Sequence, residues 1–315
     1  MSGIYVGASE SSFRTDEQIV REANIRNTTP TFLDYNPELP DWHYWNQRFS
    51  RRAAEHRETE EHLQNSVEIQ LPDRPAILNL ISDIHVGGPH TDYQRIEDEI
   101  NAIVSRSDSY VMLLGDEADA YFWAETAIND TVEQIPEQYF WYRELIRYLS
   151  DNNRLLALWE GNHTAWTRRV GRSFQAMISE VTPAPAFSGV AYVKLNVGNT
   201  QYKIAGSHQF PGGSQFNNTH PEERFMRFGA GAGADIICGG HTHKKQIAQK
   251  PFHMYEDETI VVTQVSTGAY KSHDSYGNVR GFNRHTPNSM FGVSLVLNNE
   301  QKQVLPYYDI LEANS

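Results

Sequence analysis

Ala76-Ile77-Leu78-Asn79-Leu80-Ile81, followed at once by Ser82-Asp83-Ile84-His85-Val86-Gly87-Gly88, is the stretch from which the fold can be read. Its first six residues form an apolar run of strand length. A carboxylate and an imidazole then stand two residues apart, and a glycine pair lets the backbone turn sharply beside them. The next segment, residues 93–104, places Ile96, Ile100, Ile103 and Val104 on one helical face. A second strand follows at 110–114, a helix at 138–149, a third strand at 155–159 and a helix from about 164 to 178. This βαβαβ order predicts right-handed crossovers and a sheet covered on both faces.

After residue 186 the pattern changes. Residues 190–195 and 201–205 alternate around Gly198-Asn199, a hairpin signal. A helix is expected at 221–229, with strands at 235–238, 259–265, 290–297 and 303–308. The layout predicts an α/β fold, a four-layer αββα sandwich of two mixed β-sheets flanked by helices, in preference to one doubly wound sheet.

Residues 1–73 read as an N-terminal, mostly helical extension, and 74–315 as the main domain. A short helix is expected at 15–25, then an extended stretch holding Pro30, Pro37 and Pro40. Asp41 is placed to cap a longer helix to about Gln64, whose Trp42, Trp45 and Phe49 make one apolar stripe. That stripe is expected to pack on the main domain, the other reading being a surface for oligomerisation or docking.

Composition narrows the function. The formal net charge of the 315 residues is −13, which argues against a protein that coats nucleic acid non-specifically. The single cysteine, Cys238, allows no intramolecular disulfide and sits in an apolar run, where a small core residue is expected. No apolar run approaches the roughly 18 residues of a membrane helix. Residues 1–5 lack the start of a secretory signal, so neither a signal peptide nor a membrane span is expected.

Four further motifs follow apolar runs as Asp83-Ile84-His85 does. They are Gly115-Asp116 with Asp119, Gly161-Asn162-His163, His208, and Gly240-His241-Thr242-His243. Carboxylate, amide oxygen and imidazole are all donors that divalent metals accept. On an extended strand, residues i and i+2 point the same way, which would bring Asp83 and His85 to one ion. The Asp116 carboxylate has two oxygens and could bridge two cations. Asp119 could orient neighbouring ligands, Glu117 reads as solvated, and His163 suits a proton donor beside the metals. His43, His56, His62 and His90 lack this setting and read as surface residues.

This set of motifs, in this order, resembles the signature of the calcineurin-like metallophosphoesterases, over about residues 76–310. The family fold is the αββα sandwich expected above. The resemblance implies that Asp83, His85 and His243 hold a first metal, that Asn162, His208 and His241 hold a second, and that Asp116 bridges them. It implies a catalytic His163 near the leaving-group oxygen, with Asp116 and Asp119 in the catalytic set. The reaction implied is attack on phosphorus by a hydroxide held between two divalent ions, manganese first, with iron, zinc or nickel also suited. One departure is Thr164, where many relatives carry an acidic residue that orients the histidine. Asp119 is the candidate substitute.

The substrate class is narrower by exclusion. The second motif lacks the arginine-containing extension of the protein serine/threonine phosphatases. His163 stands where lipid-A-precursor pyrophosphohydrolases usually carry arginine. What remains is a phosphodiesterase or nuclease acting on DNA or nucleotides, or a broad phosphomonoesterase. A reading of another class, a scaffold on the same fold, generally follows loss of metal ligands, and every expected ligand is present here. Arg168, Arg169, Lys244 and Lys245 are candidate substrate contacts, alternatively ordinary solvated charges. Trp166 repeats with Val170, Phe174 and Met177 at helical spacing and is expected in a core. Stand-alone members of the family occur in phage genomes, so a cytoplasmic setting in a bacterium or phage-infected cell is the implied location.

Overall fold

Strand β2 (Ala76–Ile81) is buried at every position, as a strand covered on both faces must be. It runs parallel to β3 (Ser109–Leu113), which runs parallel to β4 (Leu155–Trp159), and the short β5 (Ala186–Phe187) completes that edge. On the other side β2 pairs antiparallel with β11 (Val293–Leu297), which pairs antiparallel with β12 (Val304–Tyr307). Asn79 is the polar exception within β2. Its amide donates to Ser109 Oγ and the Tyr110 carbonyl and accepts from Ser294 and Asn314, so no buried valence is stranded.

The second sheet has the order β1-β6-β7-β8-β10-β9. Its strands are β1 (Ser66–Leu71), β6 (Ala191–Val197), β7 (Thr200–Ser207), β8 (Ile236–Gly239), β10 (Thr259–Ser266) and β9 (Gln246–His253). Here β7 and β8 run parallel, while the β6–β7 hairpin and β9–β10 are antiparallel. The structure is a computed structural model that describes residues 42–61, 65–120, 135–165, 178, 180–214, 216–253, 259–273 and 287–315.

Three cores separate the layers. Leu78, Leu80, Met112 and Trp159 of one sheet meet Val193, Leu195, Ile204 and Ile236 of the other. The alternate residues Ile81, Val111, Leu113 and Leu158 face helices α2 (Tyr93–Ser105) and α3 (Ile135–Asp151). Those helices contribute Ile96, Ile100, Ile103, Leu145, Ile146 and Leu149. Ala205, Ile237 and Val262 face Phe225 and Met226 of α5 (His220–Phe228), reached after the four-residue α4 (Asn162–Ala165). The period-two alternation of each strand thus feeds two different cores. The result is the four-layer αββα sandwich. A last short helix, α6 (Ile310–Ala313), is capped by Asp309, which accepts from Leu311 N–H.

Three strands escaped the sequence reading: β1, the two-residue β5 and β9. Strand β1 lies upstream of the boundary expected after residue 73, and the chain divides into Met1–Leu63 and Gln64–Ser315. Both β1 and β9 are sheet edges with exposed alternate residues, and Pro251 in β9 is tolerated because an edge strand need not donate there. In the first unit, helix α1 (Trp42–Glu61) carries Trp45 stacked on Phe49, with ring centroids 6.0 Å apart. The expected helix at 15–25 lies outside the described residues, as do Asp41 and most of the segment 164–178 with Trp166, Val170, Phe174 and Met177.

Candidate metal centre

Every candidate ligand stands just beyond the C-terminal end of a strand. Asp83 and His85 follow β2, Asp116 follows β3, Asn162 and His163 follow β4, His208 follows β7, and His241 and His243 follow β8. The parallel strands of each sheet deliver these ends to one edge, the usual site placement in α/β folds.

The local backbone differs from the extended geometry expected for Asp83 and His85. Both residues lie past the strand and adopt left-handed conformations, φ 53° and 52°. Asp116, His241 and His243 do the same, at 57°, 65° and 55°. Non-glycine residues in this region carry strain of roughly 1–3 kcal/mol each, held only where the surroundings over-determine it. Here the holding is a ladder beyond the strand ends. Asp83 N–H donates to the Gly115 carbonyl, His85 N–H to Asp116, Val86 N–H to Glu117, and Asp119 N–H back to Val86. Convergence of i and i+2 is therefore made by two left-handed turns, and strand alternation plays no part.

Close approach is the second requirement. A Cβ on Gly240 would lie 2.0 Å from Ser82 Oγ and 2.6 Å from Asp83 Oδ2. Gly115 has φ 99°, and a Cβ there would lie 2.7 Å from Gly161 N and 2.9 Å from His208 Nδ1. Only glycine allows these loops to nest.

The expected ligands fall into two groups, beside a third cluster of His85, Asp119 and His163. In the first, His85 Nε2 is 3.1 Å from His243 Nε2 and 3.7 Å from Asp83 Oδ1, and His243 Nε2 is 3.1 Å from the same oxygen. Asp83 Oδ1 is buried and accepts no hydrogen bond among the described residues, while Oδ2 accepts from His241 N–H at 2.8 Å. In the second, His208 Nε2 lies 3.0 Å from Asp116 Oδ2 and 3.0 Å from Asn162 Oδ1. Asp116, His208 and His241 also group within 4.8 Å.

Hydrogen bonds on the far side of each ring decide what these atoms can do. His208 Nδ1 faces the Leu114 carbonyl at 2.8 Å, and His85 Nδ1 faces Asp119 Oδ1 at 3.0 Å. Carbonyl and carboxylate oxygens only accept, so both Nδ1 atoms carry protons and both Nε2 atoms point inward. Nitrogen and oxygen ligand atoms then confront one another at about 3 Å. A divalent ion binding N and O donors at about 2.0–2.2 Å requires ligand atoms spaced about so. The residues fit divalent cations in donor type, spacing and the orphaned Asp83 oxygen.

The electrostatics agree. Burial opposes ionisation of Asp83, but the facing His243 and His85 outweigh it and hold the carboxyl well below its ordinary range. Asp116 is likewise held at about 2, burial being overcome by His208 and His163. With these carboxylates charged, His85 is pushed up to about 10 and His208 to about 9 against their own burial. Proton and metal compete for the same Nε2 atoms. Burial lowers His163 and His241 below the ordinary imidazole value.

His163 lies at the rim between the groups. Its backbone N–H donates to Asp116 Oδ1 at 2.8 Å, and its Nε2 is 3.9 Å from Asp116 Oδ2. Its Nδ1 bonds the main-chain carbonyl of Asp119, whose carboxylate is 3.9 Å from that nitrogen. Asp119 thus orients His163 through its backbone and His85 through its side chain. The side chain of Thr164 lies outside the described residues.

Some residues behave otherwise than the sequence suggests. Glu117 is fully buried where solvation was expected. It accepts from Gly115 N–H at 3.0 Å, and burial raises its pKa to about 7. Lys245 reaches the Tyr308 carbonyl at 2.9 Å and is half-buried, while Lys244 is exposed beside His243. Arg168 and Arg169 lie outside the described residues. Lys271, 5% exposed and paired with Asp119, belongs to no motif and was missed, since the sequence shows only a lysine after Gly268-Ala269-Tyr270. Cys238 is buried in β8 as expected. His43 and His90 are exposed as expected.

A family model described as calcineurin-like phosphoesterase matches residues 78–245, more than half of the chain. Among solved structures, vacuolar protein sorting 29 from Cryptosporidium parvum is 16% identical, covering 74% of this chain and 97% of that one at a TM-score of 0.37. The calcineurin-like phosphoesterase YfkN from Bacillus subtilis is 11% identical, covering 75% and 91% at 0.37. A predicted phosphoesterase from Streptococcus pneumoniae is 11% identical, covering 74% and 97% at 0.32. A comparison with curated protein sequences returned no match. No described helix is long and apolar enough to cross a membrane.

Proposed function

The chain belongs to the calcineurin-like phosphoesterase family, and from that premise we propose that it is a two-metal phosphoester hydrolase acting on phosphodiesters of DNA or nucleotides. One observation carries the reading. Two groups of nitrogen and oxygen donors, on His85, His243 and Asp83 and on His208, Asn162 and Asp116, stand with neighbouring atoms about 3 Å apart at the strand ends. Such an arrangement suits two cations and little else.

Divalent ions bound there supply Lewis acidity toward phosphoryl oxygens and lower the pKa of bound water. The remaining chemistry belongs to the chain. Asp116, whose Oδ2 is 3.0 Å from His208 Nε2, would hold both ions in the role the family resemblance gives it. His163, with Nδ1 tied to Asp119, offers only Nε2 to the cleft. There it can pass a proton to a leaving oxygen or stabilise its charge. Lys244, exposed and next to His243 in the chain, is offered as a contact for a substrate phosphate. The motif exclusions leave diesterases beside a broad phosphomonoesterase, and the occurrence of stand-alone family members in phage genomes favours the diester. The acidic chain favours a short, cleft-bound substrate or a DNA end over a long duplex track.

The test is hydrolysis of bis-p-nitrophenyl phosphate against p-nitrophenyl phosphate with added manganese, with Asp83→Ala as the blank. Metal-dependent turnover preferring the diester is expected, with two metal equivalents bound. Preference for the monoester would replace the diesterase reading with a phosphomonoesterase. No turnover and no metal uptake would leave a scaffold.

A further inference from the structure

Lys271 lies five residues beyond the end of β10, next to Tyr270, whose N–H donates to the Asp83 carbonyl. It is 5% exposed. Buried lysines are rare unless paired, and this one has a definite partner. Its Nζ is 3.0 Å from Asp119 Oδ2 and 3.2 Å from Oδ1, spanning both oxygens of a carboxylate that is itself buried. Asp119 Oδ1 also meets His85 Nδ1 at 3.0 Å. The line therefore runs from ammonium to carboxylate to imidazole, and ends at the Nε2 that faces the metal position.

Asp119 has two roles open to it. It can accept from His85, or it can be a ligand, since a carboxylate oxygen of Asp119 and ring nitrogens of His85 and His163 lie within 4.8 Å of one another. An ammonium astride both oxygens decides between them. The lysine is fixed by the same segments that carry the ligands. Tyr270 N–H donates to the Asp83 carbonyl at 3.0 Å. Lys271 forms a bridge with Thr91, whose Oγ1 donates to the His85 carbonyl at 2.8 Å. A Cβ on Gly88 would lie 3.2 Å from Lys271 Cε, so that side is closed as well. Stability alone does not account for the pair, because buried ion pairs seldom outperform apolar packing.

We propose that Lys271 is a positioning residue that holds the Asp119 carboxylate outside the ligand sphere of the first metal, as the acceptor for His85 Nδ1–H, and so sets that site's affinity and coordination. The inference rests on the two-metal reading above. Outer partners of ligating histidines commonly change metal affinity by roughly 10- to 100-fold when removed.

The experiment uses the full chain with Mn²⁺ alone in calorimetric titration and with Co²⁺ in visible absorption. The proteins are wild type, Lys271→Met, Lys271→Arg, Asp119→Asn and Lys271→Met with Asp119→Asn. Lys271→Met is expected to weaken one of the two sites by roughly 10- to 100-fold and to change the Co²⁺ bands as Asp119 enters the ligand sphere. Lys271→Arg is expected to restore most of the affinity. The double variant is expected to bind no more weakly than Asp119→Asn alone, since both changes remove one linkage. A folded Lys271→Met with wild-type affinity and spectrum overturns the inference while leaving the two-metal centre intact. So does a double variant whose loss is the sum of the two single losses. If Lys271→Met fails to fold, the same titrations on Lys271→Gln decide, with unchanged affinity and bands again overturning it. Wild type that takes up no metal removes the two-metal reading and this inference with it.

Discussion

Glu222→Gln is expected to remove a large alkaline destabilisation of this protein. Glu222 stands in the first turn of α5, 2% exposed, and its Oε2 has no hydrogen-bond partner among the described residues. Its Oε1 lies 3.0 Å from where a Cβ on Gly239 would sit, so the carboxyl is packed against β8. A helix N-terminus favours an anion by roughly 0.3–1 kcal/mol. Burial acts the other way and wins, pushing the carboxyl from an ordinary 4.5 up to about 8. The folded protein therefore binds more protons than the unfolded chain between those values, and stability falls as pH rises through that window. The contribution is fully present below pH 4.5 and fully lost above about 8. At about 1.36 kcal/mol per pH unit, the gap sets a ceiling of about 5 kcal/mol. Urea unfolding of chelator-treated wild type and Glu222→Gln at pH 5, 7 and 9 measures it. Any fixed cost of the buried amide moves every pH equally, and the histidines common to both proteins cancel. The stability difference between pH 5 and pH 9 should shrink by several kcal/mol in the variant, within the ceiling set above. Equal pH dependence in the two proteins would refute the argument, because it would mean that burial of this carboxyl is not what the folded state opposes.

His163→Ala should lower kcat by roughly 10²- to 10⁴-fold while both metal equivalents remain. Its Nε2 is 3.9 Å from Asp116 Oδ2 and it is not among the ligands the family resemblance implies, so equal loss of metal in that variant would count against the role. Gly240→Ala should abolish metal uptake at the first site with little change in secondary structure. The added methyl would sit 2.6 Å from Asp83 Oδ2 and 2.0 Å from Ser82 Oγ, and calorimetric titration with Mn²⁺ against circular dichroism separates the two effects.

The central strands were legible because both of their faces are covered. Ala76–Ile81 and Leu155–Trp159 read as unbroken apolar runs, and their bounds matched. Helices α2 and α3 were equally plain, since Ile96, Ile100 and Ile103 recur at helical spacing. Edges were not legible. In β1 and β9 every second residue meets solvent, so an edge strand such as Gln246–His253 carries little apolar signal, and its Pro251 argues against a strand. What places it is pairing with β10, a contact made between distant parts of the chain.

The candidate ligands divide along a similar line. Asp83, His85, Asp116, Asn162, His163, His208, His241 and His243 were all marked by residue type and by their position after apolar runs, because ligand chemistry restricts the side chains that can serve. The structure brings each of them to one edge of the two sheets. Their means of convergence was not written in the spacing. The left-handed turns at Asp83 and His85 exist because the ladder to Gly115, Asp116 and Glu117 holds them, and no short stretch of sequence encodes such a constraint. Glu117 was taken for solvated because a glutamate beside a loop usually is, yet three-dimensional packing buried it. Lys271 shows the limit most clearly. It stands 152 residues from Asp119 in the chain, and a lone lysine carries no periodicity and no motif. The sequence by itself determined which side chains can bind metal and which runs must be buried, since both follow from local residue chemistry. Only the tertiary structure decided which atoms face one another and which charge stands behind each ligand, because those depend on distances between segments that only the folded sheets bring together.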